Sequence, residues 1–131
     1  MPTEAEWEYA ARGGQNNDRY KYSGSDNVHD VAWFSANSLN RIQPVGSKAP
    51  NSLGTFDMSG NVWEWCSDYY GSYSSSKKTN PFESVAGSLR VNRGGGWCDY
   101  LAEIYIGNRD GNTPATKSKN MGFRICMTAT N

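Results

Sequence analysis

The chain has 131 residues with 13 basic and 13 acidic side chains, one histidine and a formal net charge of zero, which suits one domain with its own core. Nucleic acid is disfavoured as a partner, because phosphate binding needs clustered Lys and Arg and only Lys77-Lys78 offers any. No run approaches the roughly 18 apolar residues of a membrane span and no basic-then-apolar leader precedes Pro2, so a soluble chain carrying no address is expected.

Charged residues make up 20% of the chain, while Gly, Ser and Asn abound beside five Trp and eight Tyr. This describes a loop-rich domain with large aromatic anchors rather than a helical bundle. At the start, Thr3 and Glu6 form a T-x-x-E capping box, Trp7, Ala10 and Ala11 share one face, and Gly13-Gly14 stops the helix. Residues 15–27 have no period and read as a surface loop, after which Val31, Trp33 and Phe34 mark a short buried element. Residues 35–50 are irregular, with Val45 expected in the core.

From Leu53 a Gly-centred turn leads into alternation that puts Trp63 and Trp65 on one face and Val62, Glu64 and Cys66 on the other. Glu64 is thereby aimed inward or toward a partner. Residues 67–89 form a long serine-rich excursion. Leu89 to Arg93 reads as a strand leading into Gly94-Gly95-Gly96-Trp97, where three glycines imply close backbone approach or a bulge under a large indole. Residues 98–120 lack a clean period, and Met121 to Met127 reads as a final strand with Phe123, Ile125 and Met127 on one side.

Three cysteines, Cys66, Cys98 and Cys126, cannot all pair within one chain, and none stands at C-x-x-C or C-x4-C spacing. Cys66 and Cys126 are expected as small apolar fillers. His29 stands alone in a loop and is expected to be solvated. The five tryptophans are expected in the core first. Arg93, Arg109 and Arg124 are expected to tie loops through carbonyls and carboxylates.

The ordered segments PTEAEWEYAARG (2–13), DMSGNVWEW (57–65), RVNRGGGW (90–97) and GFR (122–124) resemble the sulfatase-modifying family, whose members include the formylglycine-generating enzymes. The resemblance implies an α+β, C-type-lectin-like fold: a small twisted antiparallel sheet, few helices and long loops, in a single domain over residues 1–131. Family domains usually begin well before the PTEAEWEYAARGG helix, so this one reads as short at its N-terminus, with a core strand missing or supplied elsewhere.

Two chemistries of the family are not expected. Oxidase members bind copper through a C-x4-C pair, since soft Cu(I) needs two converging thiolates; Cys98 falls one place short of the first cysteine and Glu103 stands five residues later. Iron-dependent members need histidine ligands, and His29 is alone. Catalysis is therefore not expected, and no catalytic residue is assigned.

Related domains carry asparagine runs after the Gly-Gly-Ser-Trp motif, and these resemble the variable regions of diversity-generating retroelement proteins, which display altered residues on a C-type-lectin scaffold. By that resemblance residues 97–120 are the candidate variable region. Trp97, Cys98, Asp99, Tyr100, Glu103, Tyr105, Asn108, Asp110 and Asn112 become candidate contacts for a protein or glycan, a mixture of tyrosine area and short polar groups that suits recognition. The plainer alternative is that these loop residues solvate the surface or pack locally. Display proteins of this kind suggest a cell-surface or extracytoplasmic setting.

Calcium is the one candidate cofactor. By resemblance to the family's second calcium site, the ligands fall on Asp57, Gly60, Val62 and Glu64, two side chains and two carbonyls that suit a hard cation. The alternative is that Glu64 caps amides or pairs with Arg93 or Arg124. Two other functions stay open: an oxidase of formylglycine-generating type acting on a cysteine in a protein, and a structural module of a larger surface protein.

Overall fold

The computed structural model describes residues 1–76 and 78–127, so Lys77 of the dibasic pair lies outside the described residues. Helix α1, Glu4–Ala11, begins at the expected box: the Thr3 hydroxyl accepts from the Glu6 amide, the Glu6 carboxylate accepts from the Thr3 amide, and Glu4 and Glu6 lie in the first turn. Gly13, with φ +78°, ends it. A single helical turn α2, Val28–Val31, follows the Asn27 cap and delivers Val31 and Phe34 to the interior.

Four strands form one sheet: β1, Trp63–Tyr69; β2, Arg90–Arg93; β3, Arg109–Asn112; and β4, Met121–Gly122. Their order is β3-β2-β1-β4. β1 pairs antiparallel with β2, with Glu64 opposite Arg93 and an irregularity between Trp65 and Tyr69. β2 pairs antiparallel with β3, and β4 adds the one parallel ladder, Trp63 opposite Met121. The small, helix-poor, loop-rich α+β architecture matches the expectation, with the refinement that the sheet is mixed.

The alternation along β1 is as expected: Glu64, Cys66 and Asp68 are buried while Trp63, Trp65 and Ser67 are half-buried. One apolar cluster joins Trp7, Ala11, Met58, Cys66, Val91 and Ile106; a second joins Tyr22, Val31, Ala32, Phe34 and Ile104. Gly60 (φ +78°) allows the turn before β1 to run against the Trp33 carbonyl, where a Cβ would collide. The close approach expected at the triple glycine is real, but the indole over Gly94 is that of Trp7, which would lie 3.2 Å from a Cβ there.

Several expectations are corrected. Val45 is exposed, not core, because it stands in an irregular loop at the rim of a cleft instead of in a sheet or helix. The last strand stops at Gly122, leaving Phe123, Ile125 and Met127 exposed, since the Ser67 amide further along β1 is already taken by the Pro2 carbonyl at 2.9 Å. Cys126, beyond that stop, is exposed rather than a filler. Of the tryptophans only Trp7 is fully buried; Trp33, Trp63, Trp65 and Trp97 are half-buried. His29 is solvated as expected.

Candidate ligand-binding face and cation cleft

Residues 97–112 leave the triple glycine, make a short helical turn at Leu101–Glu103 and return as β3. Two buried side chains, Ile104 and Ile106, pin this loop to separate parts of the core, and the Ile106 amide bonds the Lys21 carbonyl at 3.0 Å. The nine candidate contact residues divide into those that build the loop and those that it displays.

Asp99 is a builder. Its Oδ2 accepts from Trp63 Nε1 at 2.6 Å, the Gly96 amide at 2.8 Å and Asn120 Nδ2 at 3.0 Å, and its carbonyl accepts from the Ser35 amide. Trp97 is tied at both ends of its backbone, by Asn61 and the Ser38 hydroxyl, and its indole N–H reaches the Lys119 carbonyl. Glu103 accepts from the Tyr100 amide at 2.9 Å, and Asn108 donates back to the Glu103 carbonyl at 2.9 Å. Asn112 donates to Asn92 across the β2–β3 ladder at 2.8 Å. These five side chains serve the fold before any ligand.

Cys98, Tyr100, Tyr105 and Asp110 are displayed, with Tyr100 73% and Tyr105 37% exposed. The Tyr105 ring stacks on Tyr22 at 5.2 Å and 17°, so one of its faces is fixed and the other is open. Tyr22 gave no sign of this role in the sequence, where it lay in an aperiodic polar loop. Partial burial and the Asp99 carboxylate both push the Cys98 thiol above its ordinary range, which keeps it protonated near neutrality.

The second site lies at the start of β1. A cleft of about 420 Å³ is lined by Asp57, Val62, Glu64 and Arg124, with exposed Val45, Phe56 and Phe123 around them. Thus three of the four expected calcium ligands line one cleft, while Gly60 is buried with its amide on the Gly94 carbonyl. Asp57 is held at φ +56° and its Oδ2 accepts from the Gly46 amide at 2.8 Å; its Oδ1 is buried and without a partner among the described residues. Glu64 is engaged at both oxygens: Oε2 accepts from Trp7 Nε1 at 2.8 Å and Arg124 Nε at 2.6 Å, and Oε1 from Arg124 Nη2 at 2.7 Å. The expected alternative partner for Glu64 is therefore Arg124 and not Arg93.

Arg93 instead crosses to α1, donating to Glu4 at 2.9 Å and Glu8 at 2.6 Å and to the Asn108 and Ile106 carbonyls. Arg109 joins Glu4 at 2.6 Å, and Tyr73 donates to the same carboxylate at 3.0 Å. All three arginines also bond carbonyls, as expected of loop ties. Sequence reasoning missed Glu4, to which it gave no role. This network walls a further cavity of about 520 Å³ with Tyr9, Tyr73 and Phe82.

The model of the sulfatase-modifying factor enzyme 1-like domain matches residues 1–129. The chain belongs to this family. Within it, the chain is 36% identical over 146 residues to the formylglycine-generating enzyme of Streptomyces coelicolor, covering 98% of this chain and 46% of that protein. It is 39% identical over 132 residues to the chaperone protein LppX of Paenibacillus barcinonensis, covering 86% and 44%. The fold superposes on Treponema denticola variable protein 1 with a TM-score of 0.86 at 34% identity, over 94% of this chain and 45% of that one. The family resemblance, the C-type-lectin-like fold and the likeness to a variable protein are borne out. The chain spans a little under half the length of these relatives. Among the described residues no helix is long and apolar enough to cross a membrane.

Proposed function

We propose that this family member is a non-catalytic display domain that binds a protein or glycan through the loop face of residues 97–119. The observation that carries the reading is the division of labour in that loop: Asp99, Glu103, Asn108 and Asn112 are spent on holding it, so Cys98, Tyr100, Tyr105 and Asp110 project from a rigid base. A preorganised loop loses less entropy on binding, and exposed tyrosine supplies large contact area at small rotamer cost. The likeness to a variable protein supports the same reading.

Calcium belongs to this proposal as a structural ion. The buried, unpartnered Asp57 Oδ1 is the feature that suits it, because an unanswered carboxylate oxygen away from water is costly. Asp57 and Glu64 would supply the side-chain oxygens and Gly60 and Val62 the carbonyls. Among the described residues no three His, Cys, Asp or Glu side chains gather around one point, so carbonyls and water would have to complete the shell.

The second reading is an oxidase of formylglycine-generating type, favoured by the 36% identity to the Streptomyces coelicolor enzyme. Against it stands Glu103 five residues after Cys98, where a C-x4-C partner for that thiol would have to stand; its carboxylate is bonded to the Tyr100 amide. Cu(I) titration of the reduced protein, followed by assay on a cysteine-containing sulfatase-type peptide, separates the two. The display reading expects no stoichiometric copper and no peptide oxidation. It also expects signals on glycan and peptide arrays that weaken at least tenfold in Tyr100→Ala. Tight copper with turnover would overturn it.

A further inference from the structure

We infer that Arg124 is a built-in counter-ion that competes with calcium for Glu64, so that the cleft has two exclusive states, closed by the guanidinium or filled by the metal. The inference rests on the calcium reading of the Asp57–Glu64 turn and concerns how that site is governed.

The cleft holds two carboxylates, Asp57 and Glu64, and one guanidinium, Arg124. Arg124 does not divide itself between them: Nε and Nη2 grip both oxygens of Glu64, and Nη2 also reaches the Phe56 carbonyl at 3.0 Å. Asp57, 9% exposed, is left with one amide and an unanswered oxygen. A divalent ion added with Arg124 in place would make the cleft net positive and would have to share both Glu64 oxygens with the guanidinium; with Arg124 withdrawn the charges balance.

Withdrawal is mechanically open. The Arg124 side chain is 27% exposed and follows the two-residue strand β4, whereas Glu64 is 8% exposed and fixed on β1 with its Oε2 held by the Trp7 indole. The long arginine stem therefore moves into water while the carboxylate stays. Apparent calcium affinity is reduced by the fraction of molecules in which Arg124 is withdrawn.

Calcium titration by calorimetry, with melting temperature as a second readout, tests this on wild type, Arg124→Gln and Asp57→Asn. Arg124→Gln is expected to bind calcium at least tenfold more tightly than wild type and to gain the larger melting shift on loading, while Asp57→Asn, which keeps a ligating oxygen but not the charge, binds more weakly than wild type. Should Arg124→Gln fail to fold, Arg124→Lys, which cannot grip both oxygens, should shift affinity the same way by a smaller factor. Equal or weaker binding in the arginine variants overturns the competition while leaving the calcium site standing. No calcium uptake by any of the folded proteins overturns the site and the competition together.

Discussion

A guanidinium with no exposed surface persists only where carboxylates and carbonyls surround it, and Arg93 has Glu4, Glu8, Asn108 and Ile106 arranged in that way. Its planar fork reaches helix α1 on one side and the 104–108 loop on the other, so one side chain joins the N-terminal helix to the base of the recognition face. Arg93→Met keeps the volume and removes the charge, leaving Glu8 with Arg12 and Glu4 with Arg109. The expected loss is about 3–5 kcal/mol in urea denaturation, because the buried Glu4 and the half-buried Glu8 each lose a partner; a loss under about 1 kcal/mol would show that Arg109 and Arg12 suffice. Nothing local in the sequence marks Glu4, since the two arginines that converge on it lie 89 and 105 positions away.

Among the elements, α1 is the most locally determined and β3 the least. The capping box is formed by residues three apart, so it needs no tertiary partner; Thr3→Ala should cost about 1 kcal/mol in the same denaturation assay, and a neutral result would mean that the Asp68 bond to the Glu4 amide holds the helix start alone. β3 is Arg-Asp-Gly-Asn, three of them residues depleted in strands, and it forms because all four pair with β2. β4 shows the reverse: a sequence with good strand character ends after two residues because the Pro2 carbonyl occupies the Ser67 amide. Propensity proposes a strand, and the available edge decides its length.

At the scale of the whole molecule, two small apolar clusters are bridged by polar networks, and alkaline pH probes that design. Burial pushes the Cys66 thiol far up, Tyr22 is raised by burial and by its bond with Tyr105, and Tyr73 is raised by burial and by Glu4. Each neutral group is favoured by the fold, so its contribution is complete below its unfolded pKa, about 8.5 for cysteine and 10 for tyrosine, and is lost as pH rises toward the folded value. The melting temperature should therefore hold from about pH 6 to 8 and fall above about pH 8.5. Cys66→Ala should remove most of the fall before about pH 10, where the tyrosines begin; an unchanged melting temperature up to that pH would contradict this account.

The sequence by itself determined what depends on neighbours in the chain: the capping box, the alternation that turns Glu64 and Cys66 inward, the glycine turns and the family motifs, because dihedral preferences and period-two faces are local. Tertiary structure alone decided that Val45 and the 123–127 tail lie outside, that Tyr22 backs Tyr105, and that Arg124 rather than Arg93 answers Glu64. Each of those outcomes turns on which distant group reaches a carboxylate, a ring face or a sheet edge first, and sequence spacing carries no record of that geometry.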